Sequence, residues 1–227
     1  AIPSIGRPRA TAFVSWPGSA LQFWAGGDGG LVALGFGSGD VSAPQRVLPE
    51  PVAALASWES STPQVAAGSS EKLWVFAPAA FPQHATLLRS EWATDTVSKK
   101  GGAVDDAITA LSYDGQSGML FIGTASALNV RAPDGTIVRR VGDDGLPCAN
   151  MSSLSVTSHP FAAASRVAVD HAAVDLPRTQ LWIGCDRGIA VVDIGSSGQP
   201  LDGTFRYLNG PRWHSGVRVT STAAIGS

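Results

Sequence analysis

The sequence is poor in charge. Charged residues make up only 15% of its 227 positions, against about 25% in an ordinary soluble domain. Lysine is scarcest, with only Lys72, Lys99 and Lys100, and the formal net charge is −2. With no basic stripe, nucleic acid and anionic membrane surfaces are excluded as expected partners. No unbroken apolar run reaches the roughly 18 residues a helical membrane span needs. The longest soft stretch, Phe161 to Val174, is interrupted by Arg166, Asp170 and His171. Two cysteines, Cys148 and Cys185, are too few to form a disulfide scaffold or to fix a redox compartment by number.

Motifs of chemistry are equally sparse. No G-x-S-x-G elbow supplies a hydrolase nucleophile. The four histidines, His84, His159, His171 and His214, show no metal-ligand spacing. Gly35-Phe36-Gly37-Ser38-Gly39 leads to Pro44 rather than into a helix. It therefore reads as a turn and not a phosphate cradle. The Asp-Gly pairs at 28–29, 114–115, 134–135 and 144–145 lack the alternating carboxylates and terminal Glu of a calcium loop. No cofactor and no metal are expected.

What is abundant is glycine, with 26 residues, beside 15 prolines, seven Trp and eight Phe. That mixture fits many short strands joined by tight turns around apolar surface, and does not fit disorder. An aromatic-aliphatic pattern recurs as Phe23-Trp24-Ala25-Gly26, Leu120-Phe121-Ile122-Gly123 and Leu181-Trp182-Ile183-Gly184. Leu73-Trp74-Val75-Phe76 is read as a fourth copy lacking the glycine, which puts the aromatics 50, 47 and 61 residues apart. The stretch 23–34 matches 181–192 column by column. A strand-like piece precedes each copy, and a third and a more polar fourth strand follow.

Four short strands per 40–50 residues is the period of a β-propeller. The expectation is an all-β chain of about four four-stranded blades, near 10–48, 52–100, 106–142 and 151–209. Val217 to Ala224 would open a further blade of a larger ring. One blade cannot bury both faces alone, so blades must stack on neighbours. A β-sandwich with similar strand spacing is the competing architecture.

Leu181-Trp182-Ile183-Gly184-Cys185-Asp186-Arg187-Gly188-Ile189, then Asp193 and Phe205-Arg206-Tyr207, resemble the two-component-regulator type of propeller repeat. Gly145-Leu146-Pro147, Asn150 and Leu154 resemble its closing element. The resemblance is good over 118–222 and faint over 10–100. It implies architectural roles for these residues and an extracytoplasmic or secreted setting.

Candidate ligand-binding residues are Asp28 and Asp186, which share a blade position, with Arg187 beside the latter. Arg212, Trp213 and His214 join them, an Arg-aromatic-His run suited to sugar rings or carboxylates. A turn aspartate or a blade-closing Trp would explain the same residues without any ligand. Asn150-Met151-Ser152 is a glycosylation sequon. Cys148 before one strand and Cys185 after the next fall at adjacent ends of antiparallel neighbours. A disulfide and an oxidising compartment are expected there. The functional expectation is a non-catalytic scaffold or recognition module whose propeller is completed by another chain or a cleaved continuation, with carbohydrate as a candidate ligand. The alternative is the propeller part of a secreted carbohydrate-active enzyme, a lyase or hydrolase, with its site at the central funnel or on a partner segment.

Overall fold

In a computed structural model of the chain, the described residues are 4–15, 21–36, 41–58, 63–70, 72–77, 86–92, 107–141, 146, 150–158, 179–186 and 188–208. They form four four-stranded antiparallel sheets, each paired in chain order. The first contains β1 (Pro8–Ser15), β2 (Leu21–Gly27), β3 (Gly30–Phe36) and β4 (Gln45–Leu48). The second contains β5 (Ala54–Trp58), β6 (Gln64–Gly68), β7 (Lys72–Ala77) and β8 (Thr86–Trp92). The third contains β9 (Ala110–Asp114), β10 (Met119–Gly123), β11 (Leu128–Arg131) and β12 (Ile137–Val141). The fourth contains β13 (Ser153–Ser158), β14 (Thr179–Cys185), β15 (Gly188–Ile194) and β16 (Arg206–Leu208). No helix occurs among the described residues. The fold is an all-β propeller of four-stranded blades. Val217 to Ala224 lies outside the described residues.

Each sheet's first strand lies beside the first strand of the next, β1 by β5, β5 by β9 and β9 by β13. The middle strands are apolar because both of their faces are covered. Three cores result. Trp24, Leu31 and Val14 meet Leu55, Val65, Trp74 and Phe76 between the first two sheets. Ala66 and Leu73 meet Ile108, Leu120 and Ile122 between the second and third. Phe121, Leu128 and Val130 meet Leu154, Leu181 and Ile183 between the third and fourth. Stacking of this kind removes apolar area that an isolated sheet would leave in water.

Turn chemistry matches the sequence. Asp134 accepts hydrogen bonds from the Thr136 amide and hydroxyl, and these hold its carboxyl below the usual carboxylate range. Gly135 sits at φ 93°, as the Pro133-Asp134-Gly135 turn requires. In the matched stretches, Gly30 at φ 118° and Gly188 at φ 150° both start a third strand. A Cβ on Gly30 would collide with the Leu48 carbonyl, so no other residue fits.

One expectation is corrected. Leu73-Trp74-Val75-Phe76 is not the counterpart of the other three aromatic motifs. They occupy second strands, whereas it occupies β7, a third strand. Val65-Ala66-Ala67-Gly68 on β6 takes the second-strand place, with Gly68 at the position of Gly26, Gly123 and Gly184. Of the four expected aromatics, Trp24, Trp74 and Phe121 are buried between sheets, and Trp182 is half-buried.

Candidate functional site

Aligning the blades on that second-strand glycine puts their third strands in register. On the face turned toward the preceding blade, the two central third-strand positions are Val32 and Leu34, Trp74 and Phe76, Asn129 and Arg131, and Ala190 and Val192. Three blades are apolar at both positions; the third blade is polar at both. Asn129 is fully buried and Arg131 is only 5% exposed. Neither polar atom of the Asn129 amide has a hydrogen-bond partner among the described residues. Leaving such a group buried costs about 1–3 kcal/mol. Packing alone would favour an aliphatic residue here.

Arg131 lines a cavity of about 370 Å³ between the second and third sheets. Trp58 and Tyr113 form one wall, with ring centroids 4.5 Å apart and planes 19° from parallel. Their inner edges cap the apolar core between these sheets. Val75, Leu88, Leu120 and Pro133 add apolar lining, and Gln64 adds an amide. An aromatic wall with a guanidinium lining the same cavity is the chemistry that takes a flat, partly apolar ligand carrying an anion.

Burial, and after it the adjacent Asp114 carboxylate, push the Tyr113 phenol above its ordinary value. The chain has two tyrosines, so Tyr207→Phe leaves Tyr113 as the sole phenol. A phenolate absorbance titration of that variant should give a midpoint above the ordinary value of about 10. A midpoint at the ordinary value would mean the pocket wall is solvated. Because the folded value is raised, the neutral phenol's contribution to stability is complete below the ordinary value. It is lost as pH rises through the raised one.

The acids singled out by sequence sit elsewhere. Asp28 and Asp186 both lie in turns between second and third strands, of the first and fourth sheets respectively. Asp28 forms an exposed ion pair with Arg9, worth little in water. Asp186 accepts from the Asn150 amide Nδ2 at 2.6 Å, which ties down the atom that glycosylation would use. Asn150 itself is exposed at φ 53°. Cys185 is fully buried. Cys148, Arg187, Arg212, Trp213, His214 and all the other histidines lie outside the described residues. Among the described residues, no group of three His, Cys, Asp or Glu side chains could hold a metal ion.

No protein-family model matches the chain, and no curated protein matches it either. Solved structures do. A hemopexin-fold protein from cow pea aligns with TM-score 0.46 and 11% identity, over 88% of this chain and 92% of that one. A Cicer arietinum albumin showing hemagglutination aligns with TM-score 0.47 and 11% identity, over 89% and 93%. The glutaminyl cyclase of Myxococcus xanthus aligns with TM-score 0.42 and 13% identity, over 82% and 72%. The likeness is one of sheet arrangement, and the fold assignment stands on the four sheets themselves.

Proposed function

We propose that the chain is a non-catalytic propeller module that recognises a carboxylate-bearing carbohydrate in the cavity between its second and third sheets. One observation carries this. The third blade alone places polar residues, Asn129 and Arg131, at two interface positions that are apolar in every other blade, and Arg131 opens onto the Trp58–Tyr113 wall. Core positions that depart from the rule of their own fold are where binding sites are expected. Stacking supplies affinity for the C–H face of a sugar ring, and the guanidinium supplies selectivity for its carboxylate.

Calorimetric titration with a uronic-acid oligosaccharide and its neutral counterpart tests this. The acidic sugar should bind at least tenfold more tightly, and Trp58→Ala should weaken it at least tenfold, about 1.4 kcal/mol. Equal affinity for the two sugars, no binding of the acidic one, or an unchanged affinity in Trp58→Ala would overturn the assignment.

The proposal extends to an extracytoplasmic location and a Cys148–Cys185 disulfide. It is supported by the pairing of β13, which Cys148 precedes in the chain, with β14, which ends at Cys185. It extends also to the two-component-regulator type of repeat, supported by Leu181 to Ile189, Asp193 and Phe205-Arg206-Tyr207 in the fourth blade, and to a partner that completes the propeller.

A further inference from the structure

We infer that the outward face of the first sheet is a docking surface for the fourth sheet of a second copy of this chain. The inference rests on the propeller reading, and its partner, given above. Four sheets make three buried cores, and among the described residues none joins the fourth sheet to the first. The two end faces nevertheless carry the residue types that interlock at the first and third internal joints.

On the outward face of the first sheet, Phe13 pairs with Phe23, their rings 5.0 Å apart, and Ser15 pairs with Leu21. Phe13 is 56% exposed and Leu21 is 40% exposed. At the position of Phe23, the other blades have Val65, Leu120 and Leu181, all buried against the preceding sheet. On the outward face of the fourth sheet, Trp182 stands across from Ser155. Its counterparts Trp24 and Phe121, across from Ala12 and Ser112, are fully buried against the following sheet. Trp182 is only half-buried, with its indole N–H donating to Thr157 Oγ1 at 3.2 Å.

An aromatic knob over a small residue on one face, received by apolar side chains on the next, makes two of the three internal joints, those of Trp24 and Phe121. At the joint between the second and third sheets Ala66 stands across from Ala56 instead. Both halves of one more such joint are present on this chain. That selects a second copy rather than an unrelated partner, and a formal charge of −2 opposes self-association little. The contact is head to tail, so it closes only as a ring. Two copies bring together eight of the described blades, within the range such rings adopt.

Sedimentation velocity or native mass spectrometry over about 1–100 μM tests the assembly, a range spanning the affinities of ordinary self-association. A species of twice the 23.3 kDa chain mass is expected. Phe13→Asp and Leu21→Asp should each weaken it at least tenfold. Val138→Asp, at an exposed apolar site on β12, should leave it intact. A single-chain mass throughout, or an assembly indifferent to both face variants, would overturn the proposal. Titrating Phe13→Asp with the acidic oligosaccharide reads the pocket independently. Sugar binding by a chain that never dimerises would leave the pocket standing and the docking surface refuted.

Discussion

Trp24→Ala should lower the free energy of unfolding by about 3–5 kcal/mol, the usual cost of emptying a large aromatic site in a core. Trp24 is completely buried. Its ring lies 5.7 Å from that of Phe76 on the neighbouring blade, and its indole N–H donates to Gln22 Oε1 at 3.1 Å. Truncation would therefore remove packing across a blade joint and also leave the buried Gln22 oxygen without that donor. Trp182→Ala, at the matching position on the fourth sheet, should cost less in the undimerised chain, because its ring is there already partly in water. Urea unfolding of both variants checks the order, read from midpoints at unchanged slope. A loss below about 1 kcal/mol for Trp24→Ala would mean that the first two sheets do not share a core.

The comparison of these two tryptophans shows what the sequence conveys and what it conceals. The columns of 23–34 and 181–192 align because each segment builds the same strand-turn-strand unit, down to glycines at positive φ. Backbone demands of that kind are local, so they are visible in the residues. Whether a matched tryptophan is buried depends on the blade next to it, and no pattern within one blade records that neighbour. The misplacement of Leu73-Trp74-Val75-Phe76 has a related cause. Second and third strands are both covered on two faces, so both read as short apolar runs, and aromatics alone do not tell them apart. The glycines at 26, 68, 123 and 184 do, since each marks the end of a second strand.

The pocket was also written in the sequence, but in one place only. Asn129 and Arg131 alternate with Leu128 and Val130 in a strand that should be apolar on both faces. Polar side chains at that spacing are the signal. Reading it requires the register of the other three third strands, and the second blade's register follows only once its glycine is used. The wall opposite comes from Trp58 and Tyr113, the ends of first strands 55 residues apart. Only the fold brings them into contact.

The glycine rule yields a second large effect, because the close approach it permits is what seats one blade on the next. A Cβ added to Gly68 would lie 2.4 Å from Ile108 Cγ2 and 3.0 Å from Ile108 Cβ. Ile108 cannot easily yield. It is buried, its β-branched side chain has few rotamers, and its amide is fixed by a 3.0 Å hydrogen bond to the Ser69 carbonyl. Val52 and Met151 enter the following blade at the same place, facing Gly26 and Gly123. Gly68→Ala should therefore destabilise the protein by about 1–3 kcal/mol, the range for overpacking a filled site. Gly115→Ala, where an added Cβ meets nothing within 4 Å, should stay within about 0.5 kcal/mol of the parent. Removing the Ile108 branch provides the internal check. Ile108→Ala alone should cost about 2–5 kcal/mol as a cavity. Once it is in place, most of the added cost of Gly68→Ala should vanish, a coupling of about 0.5–3 kcal/mol between residues on different blades. Strict additivity in that double-mutant cycle would show that Gly68 is retained for some reason other than the approach of Ile108.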